Sequence, residues 1–355
     1  MGEIWRVIDT GLRSAAQNIA LNRALLEARH AEEIPSTLRF LRYAPCALLA
    51  CRQSPAQEFD LDYCKSGNVA VQRRITGGEA VYADETSLGW ELYLHRRDVG
   101  AVDIGAVAKR ICHAAASAMA ALGVDARFRP RHDIEVDGRA ISRGGGAFEG
   151  DALLYQGVLQ IDSDAGEMLR VLRAPAANGA RTPVHECIAD LKNPPGVGLD
   201  TARIRSNMIA AFESEFEVEF QDGDLSLTEH ARYRRALVEI DTPDWINLMR
   251  EPASDAPICD GAQKCAGGLL HVSLIYDRIA RRIKQVCFGG DVAVNPPRTL
   301  ADLEAALRDT AVDRLANNIR AFFAGRAVDM PLLAPDDFIA VVRRALKLPL
   351  VAQNP

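Results

Sequence analysis

Hydrophobic positions along the first 250 residues follow both helical and strand spacing. Apolar residues recurring every three to four positions, or dense in alanine, predict helices at 9–31, 103–122 and 200–216. Short apolar runs and apolar–polar alternation predict strands at 37–42, 47–51, 69–74, 88–95 and 153–161. An Asp-Gly pair within 134–141 is typical of a hairpin turn. Strands and helices mix without a regular strand–helix–strand period, so we predict an α+β fold with a mixed sheet.

A change in composition follows this first part of the chain. Residues 251–262 combine proline, serine, glycine and aspartate, which is typical of a linker. Beyond it, 268–275 and 283–288 predict two strands, and 298–308 predicts a helix with acidic residues near its N-terminus. We therefore expect a large domain at 1–250, a linker at 251–262 and a smaller α+β domain at 263–355.

Composition excludes several classes of protein. The 355 residues are 48% hydrophobic, which is ordinary for a globular chain with a large core. The net charge of −6 argues against nucleic-acid binding through a basic surface. No apolar run is long enough for a membrane span, and no secretory signal is apparent at the start. Eight cysteines are too few for a disulfide scaffold, so we expect a cytoplasmic protein without membrane or nucleic-acid partners.

The segment RRITGGEAVYAD, at 73–84, has the richest local pattern. A predicted strand is followed by paired glycines, whose backbone can approach a ligand closely. Successive N–H groups in such a turn form an anion-binding nest, and guanidinium groups reinforce it. The residues of this predicted cradle are Arg73, Arg74, Thr76, Gly77 and Gly78. The chain has no Gly-x4-Gly-Lys-Ser/Thr loop, so any use of ATP would have to come through this nest.

This segment resembles the lipoate–protein ligase family, within the biotin/lipoate ligase superfamily, whose motif reads roughly Arg-Arg-x-Ser/Thr-Gly-Gly-Gly-Ala-Val-Tyr-His-Asp. Glu79 and Ala83 depart from that motif. Further similar segments follow in the family's order: LLACRQSP at 48–55, HDIEVDGRAIS at 132–142 and YQGVL at 155–159. Residues 262–309 resemble the family's accessory domain. The resemblance implies a mixed-sheet ligase-like catalytic domain with the small accessory domain fused to it.

The resemblance also implies a two-step reaction. Lipoate or octanoate attacks the α-phosphate of ATP in the presence of magnesium, which gives an acyl-adenylate and pyrophosphate. A lysine on a lipoyl-domain carrier protein then accepts the acyl group. The matching positions imply substrate- or adenylate-binding roles for Arg52, Gln53, Arg73, Arg74, Thr76, Gly77, Gly78, Ala80, Tyr82, Asp84, Ser142, Gln156 and Gly157. We expect no protein-bound metal cluster, although Glu79 or Asp84 could position magnesium or the ribose; the alternative is a solvated loop carboxylate.

One position departs from the family in a way that bears on activity. The chain has six lysines and 36 arginines, and the family's signature lysine, in Gly-x-Lys-Ile/Val-Ser, is replaced by Ala140. Arg139 or Arg143 could restore the positive charge from a shifted position. We take Arg143 as the catalytic candidate, together with Asp133 from the same segment. A histidine is also absent at the positions of Gln156 and Ala83, which favours altered chemistry as the alternative.

Two other functions remain open from the sequence. The first is ATP-independent acyl transfer through a cysteine thioester, because a reactive thiol needs neighbouring cations. Its candidates are Cys51 beside Arg52, Cys64 beside Lys65, and Cys187 near His185. The second is a non-catalytic protein that keeps the fold to bind a metabolite or partner. Zinc binding is disfavoured because the spacing of the relevant residues is long. Those residues are Cys259, Cys265, His271 and Cys287.

Overall fold

The computed structural model describes residues 3–100, 104–129, 133–162, 164–173, 176–177, 180–181, 200–248, 257–290, 292, 294–296, 298–330 and 332–348. The strands are β1 (Glu3–Arg13), β2 (Thr37–Tyr43), β3 (Cys46–Leu49), β4 (Ala70–Arg73), β5 (Val81–Ala83), β6 (Leu88–His95), β7 (Arg127–Arg129), β8 (Asp133–Val136), β9 (Arg139–Glu149), β10 (Ala152–Leu159), β11 (Ala176–Ala177), β12 (Ala180–Arg181), β13 (Val218–Asp222), β14 (Ile258–Cys265), β15 (Gly268–Asp277), β16 (Arg282–Gly290) and β17 (Thr310–Ala311). The helices are α1 (Ala15–His30), α2 (Pro55–Glu58), α3 (Leu61–Ser66), α4 (Arg96–Val99), α5 (Ile104–Ala120), α6 (Ala165–Val171), α7 (Thr201–Phe216), α8 (Leu227–Ile240), α9 (Pro243–Ile246), α10 (Arg298–Ala306), α11 (Leu315–Ala324) and α12 (Pro335–Ala345), with a 3₁₀ turn at Val312–Arg314. None of these helices has the length and apolar character needed to cross a bilayer.

The chain forms two compact units. The first contains residues 1–51, 55–174 and 182–248, and the second contains 52–54, 175–181 and 249–355. Strand β14 begins at Ile258, inside the segment predicted as a linker, and residues 251–256 lie outside the described part of the chain. The linker prediction is therefore wrong for 258–262, where the polar, glycine-containing sequence forms a strand paired with β15.

An eight-stranded mixed sheet organises the first unit, in the order β13-β1-β2-β6-β10-β9-β8-β7. Strand β1 runs parallel to both of its neighbours, β13 and β2, and the remaining pairs are antiparallel. The mixed sheet confirms the predicted fold class. The five strands predicted in the first 250 residues and the Asp-Gly hairpin are present within a residue or two of their expected bounds. At the hairpin, Asp137 and Gly138 both have positive φ, as a type I′ turn requires.

Helices cover the two faces of this sheet. On one face, Trp90, Leu92 and Tyr155 pack with apolar residues of α5 and α7. On the opposite face, Tyr93 and Leu154 pack with α1. Because successive strand residues point to opposite faces, each strand contributes to both cores. The α1 face is the one on which the glycine-rich turn is found.

Helix α1 is shorter than predicted. Ser14 caps its N-terminus by accepting from the Gln17 N–H, and the Gln17 side chain accepts from the Ser14 N–H, which forms a capping box. The segment 9–13, predicted as helix, instead ends strand β1, which is paired with β2 at Leu12 and Arg13. The capping box at Ser14 therefore sets the start of the helix, although apolar residues at helical spacing predict a start at residue 9.

A second, three-stranded sheet carries the motif in the same unit. Its order is β4-β3-β5, with β3 parallel to β4 and antiparallel to β5. Apolar residues on its two sides belong to two small cores, one of which includes Phe59 and Met168. The chain leaves β4 at Arg73 and enters β5 at Val81, so the segment 74–80 forms the connection between them.

The second unit has its own core. Strands β14-β15-β16-β17 form an antiparallel sheet. Helices α10, α11 and α12 supply apolar side chains that pack with those of β15 and β16, including Phe288, Phe323 and Phe338. The predicted strands at 268–275 and 283–288 and the predicted helix at 298–308 correspond to β15, β16 and α10.

Candidate functional site

Two glycine-containing segments, 77–78 in the motif and 144–146 in β9, are in direct main-chain contact. A Cβ placed on Gly145 would come under 3.0 Å from the Gly77 carbonyl oxygen, and one on Gly78 would lie 2.5 Å from the Gly144 carbonyl oxygen. Gly78 also has a φ of +99°, which other residues rarely adopt. The Gly77 N–H donates to the Gly146 carbonyl at 3.4 Å. Gly78 of the motif and Gly145 of β9 are therefore required by the close approach of two backbones.

Strand pairing places Gln156 on the same face as this turn. Gln156 is directly opposite Gly145 in β9 and Glu91 in β6. Side chains directly opposite in antiparallel strands share one face of the sheet, and the Cβ direction of Gly145 points at the turn. Gln156 is 2% exposed. Its amide therefore lies buried beside the glycine contact.

Buried polar atoms without partners gather around this contact. Both amide atoms of Gln156, Thr76 Oγ1 and Arg143 Nε have no hydrogen-bond partner within the part of the chain that the structure describes. Thr76 is fully buried. An unpaired buried polar group costs about 1–3 kcal/mol, and such groups in a native fold call for an explanation such as a role in catalysis. These atoms identify the candidate binding site.

Glu79 connects two arginines beside the turn. Its carboxylate lies 2.8 Å from Arg143 Nη1, and its carbonyl accepts from Arg74 Nη2 at 2.6 Å. Burial lowers the pKa of Arg74 to about 10, and the nearby Arg143 charge acts in the same direction. The sequence suggests that Glu79 could position magnesium or the ribose, and nothing in the sequence pattern indicates its pairing with Arg143.

Arg73 is engaged inside the protein. Its guanidinium donates to the main-chain carbonyls of Ala50, Cys51, Trp245 and Ile246, at 2.7–3.2 Å. It is 1% exposed. These contacts make Arg73 a positioning residue that joins the end of β3 to α9, rather than the direct anion ligand that the motif predicted.

Ala140 lies in a small cavity. The cavity has a volume of about 10 Å³, close to the room that one water molecule needs. Its lining residues are Val81, Tyr82, Ala140, Ile141, Ser142, Arg143, Gln160 and Met168. Ala140 is buried, and Arg143 lies on the same strand, β9. Arg143 and Tyr82 therefore line the same cavity as Ala140, and the replacement of the signature lysine by Arg143 stays a prediction.

Other predicted ligands have roles within the fold. Asp84 Oδ1 accepts from the Thr86 N–H and hydroxyl and from Ser87, so its carboxylate stabilises its own turn. Ala80 is buried in the core of the small sheet. Ser142 is buried opposite Ile134 and Leu159, which belong to the α5 core.

Gly157 does not face the turn. A Cβ on Gly157 would lie 2.5 Å from the Trp90 ring, in the core beneath α5. Alternation along β10 sends Gly157 and Gln156 to opposite faces of the sheet, so the structure does not bring Gly157 together with the glycine turn. Its contact with substrate stays a prediction. Asp133 acts on the α5 side as well, where its charge adds to burial in raising the pKa of Cys112 to about 12.

Arg52 and Gln53 belong to the second unit. The Arg52 guanidinium donates to the Phe288 carbonyl and to Glu304, and the Arg52 carbonyl accepts from the Gly290 N–H. Gln53 is buried. The contacts of Arg52 differ from the predicted role as a substrate ligand, because Glu304 and Phe288 occupy its guanidinium.

The cysteines differ in their surroundings. Burial raises the pKa of Cys46, Cys64 and Cys112, which disfavours their thiolates. Cys51 is half-buried, and its N–H donates to the Thr76 carbonyl at 2.9 Å. His185 and Cys187 lie outside the described residues. In the part of the chain that is described, no group of three His, Cys, Asp or Glu side chains is placed to hold a metal ion.

Comparison with known proteins identifies the family. Residues 14–213 match the lipoyl protein ligase A/B catalytic domain. The octanoyltransferase LipM of Moorella thermoacetica is 24% identical over 69% of this chain and 98% of its own length. Lipoate-protein ligase A subunit 1 of Thermoplasma acidophilum is 24% identical over 60% of this chain and 86% of its own length.

Solved structures show the same fold. Plasmodium falciparum LipL1, in complex with lipoate, aligns with a TM-score of 0.70 at 16% identity, over 92% of this chain and 95% of that protein. The bipartite lipoate protein ligase of T. acidophilum aligns with a TM-score of 0.61 at 22% identity, over 71% of this chain and 100% of that protein. With its catalytic domain matched over more than half of its length, this chain belongs to the lipoyl protein ligase A/B family.

Proposed function

We propose that this protein transfers octanoyl or lipoyl groups to a lysine of a lipoyl-domain carrier protein. The observation that carries the proposal is the set of buried, unpartnered polar atoms of Thr76, Gln156 and Arg143 beside the Gly77–Gly145 contact. Family membership and relatives named as octanoyltransferases and as a lipoate-protein ligase subunit support the acyl group and its acceptor.

The site suits an acyl carbonyl. The Gln156 amide and the Thr76 hydroxyl are hydrogen-bond donors, and Arg143 adds a charged group beside them. Donors fixed in advance around a carbonyl oxygen stabilise the negative charge that develops there when a nucleophile attacks. Their burial removes competing water, which strengthens this stabilisation. In this proposal Arg143 takes the place of the missing lysine at Ala140.

The route by which the acyl group is activated has two candidates. The first is an ATP-dependent ligase that forms an acyl-adenylate, with Arg74, Arg143 and the N–H group of Gly78 near the phosphate. Among the described residues no carboxylate cluster offers magnesium a site, and Asp84 is committed to its own turn. We therefore derive no step through magnesium.

The second candidate is ATP-independent transfer through a thiol, and the position of Cys51 favours it. The Cys51 N–H donates a hydrogen bond to the Thr76 carbonyl, and the Cys51 and Arg74 side chains interact electrostatically. In this route the Cys51 thiolate attacks the carbonyl of an acyl thioester, and the donor thiol leaves. The carrier lysine amine then attacks the new thioester, forms the amide and releases Cys51.

Two assays separate these routes. ATP–pyrophosphate exchange that depends on octanoate or lipoate would support the ligase. A mass increase of one octanoyl group on the protein, after incubation with an octanoyl thioester, would support the thiol route; peptide mapping distinguishes Cys51 from Cys187. Cys51→Ser should abolish that increase if Cys51 is the acceptor, whereas Cys64→Ser, which removes a buried thiol, should not. Absence of exchange, of acyl-enzyme and of transfer to a lipoyl domain would contradict the proposal and favour a non-catalytic binding protein.

A further inference from the structure

Glu79 holds a position that decides the charge of the site. It stands where the motif of the resembled family has a third glycine. Its carboxylate is paired with Arg143 at 2.8 Å, and its side chain is 33% exposed against 19% for Arg143. The pair therefore lies at the edge of the site, where an entering ligand would meet it.

The charges around the turn are already balanced in part. Glu79 neutralises Arg143, and Ala140 supplies no charge where the family has lysine. The Arg74 guanidinium is buried and donates to the carbonyls of Glu79 and Leu49. Arg143 Nε also lacks a hydrogen-bond partner among the described residues, but the charge of this guanidinium is paired with Glu79. The other unpartnered groups of the site, on Thr76 and Gln156, are uncharged. These groups match a neutral carbonyl better than a phosphate.

We propose that Glu79 is a specificity-determining residue that favours an uncharged acyl ester or thioester over an acyl-adenylate. A phosphate bound at Arg143 would have to compete with the Glu79 carboxylate and remain close to it. Like charges in a partly buried site repel strongly. A neutral acyl donor does not meet this repulsion. The inference rests on the proposed acyl-transfer function and selects among its donors.

The test compares two donors that share the octanoyl group. Dissociation constants for octanoyl pantetheine, which is uncharged, and for octanoyl adenylate are measured by calorimetry without a carrier protein. The variant Glu79→Gln keeps the shape of the side chain and removes its charge. Glu79→Gly is a second variant with the glycine of the family motif. Glu149→Gln, at the exposed end of β9, is the matched control.

We expect Glu79→Gln to tighten adenylate binding by roughly tenfold or more, with octanoyl pantetheine affinity changed less than about twofold. Glu79→Gly should act in the same direction, and the control should leave both constants unchanged. Equal changes for both ligands, or no change for the adenylate, would overturn the role of Glu79 while leaving acyl transfer intact. If neither octanoyl compound binds any of the proteins, both this inference and the proposed function are wrong.

Discussion

The main chain of Gly145 packs directly against the carbonyl of Gly77, with no room for a Cβ between them. Gly145→Ala must push the turn away from β9, because both contacting atoms belong to rigid backbone. We expect a loss of about 1–3 kcal/mol in the free energy of unfolding, the usual cost of overpacking, together with weaker binding of acyl ligands. Urea unfolding and calorimetry measure the two effects.

Gly77→Ala is the matched control for stability. A Cβ on Gly77 meets no atom within 4 Å. Its unfolding free energy should therefore stay within about 0.5 kcal/mol of the wild type, as for most substitutions that disturb no packing. A similar loss of stability in both variants would show that the Gly77–Gly145 contact is not what requires glycine at 145.

Arg73→Lys should destabilise the first unit. The planar guanidinium of Arg73 donates to the carbonyls of Trp245 and Cys51 at the same time, and a lysine ammonium cannot reproduce this geometry. We expect a cost of about 2–3 kcal/mol, with a change in Trp245 fluorescence, because the Trp245 indole N–H donates to the Arg73 carbonyl. Arg42→Lys, on an exposed side chain of β2, should have little effect on either measurement. Equal stability of the two variants would contradict the positioning role of Arg73.

Glu91→Gln should be among the most destabilising charge removals in the protein. Arg39 and Glu91 form an ion pair at 2.9 Å, with side chains 0% and 1% exposed. Removing one charge leaves the other buried without its partner, which typically costs about 3–5 kcal/mol. Glu239→Gln, which breaks an exposed pair with Arg23, should cost less than about 1 kcal/mol. Chemical unfolding of both variants compares the two pairs directly.

Stability should fall in acid through Glu229. Burial alone would raise its pKa, but hydrogen bonds from Arg6 and the Ser226 N–H outweigh burial and hold the pKa below its ordinary value. The charged form is thus favoured in the folded state. Its contribution is complete above the ordinary carboxyl pKa and is lost as pH falls through the lowered pKa.

The corresponding variant is Glu229→Gln. It should be less stable than the wild type at pH 7 and should show a smaller loss of unfolding free energy between pH 7 and pH 3. Glu219→Gln, on an exposed strand position, should retain the wild-type pH dependence. An unchanged slope for Glu229→Gln would contradict the assignment.

Local pattern predicts most elements of this fold. The strand at 88–95 and the hairpin at Asp137 and Gly138 follow from alternation and turn chemistry, which depend on neighbouring residues only. The strand at 258–265 does not, because its glycine- and aspartate-containing sequence is held by pairing with β15. Its strand state comes from tertiary contact and has no clear signal in the segment itself.

The site shows the same division. The motif correctly marks the glycine turn, since Gly78 needs a positive φ. It cannot show that Arg73 contacts Trp245 and Ile246, about 170 positions away in the chain. It also cannot show that Gly157 faces Trp90. The motif does not indicate which face of the strand packs against which helix, and this packing decides what each strand residue faces. Residue type is therefore predicted by the motif, and side-chain partners are not.

The buried Arg39–Glu91 pair also bears on how the strands find their alignment. Arg39 is directly opposite Glu91, and Glu91 is directly opposite Gln156. A slip of one residue along β6 would turn the Glu91 carboxylate into the apolar core around Trp90 and separate it from Arg39. Such a misaligned sheet would be strongly disfavoured. The ion pair therefore disfavours misaligned pairing of these strands. In the correct alignment, Gln156 lies on the same face of the sheet as the glycine turn.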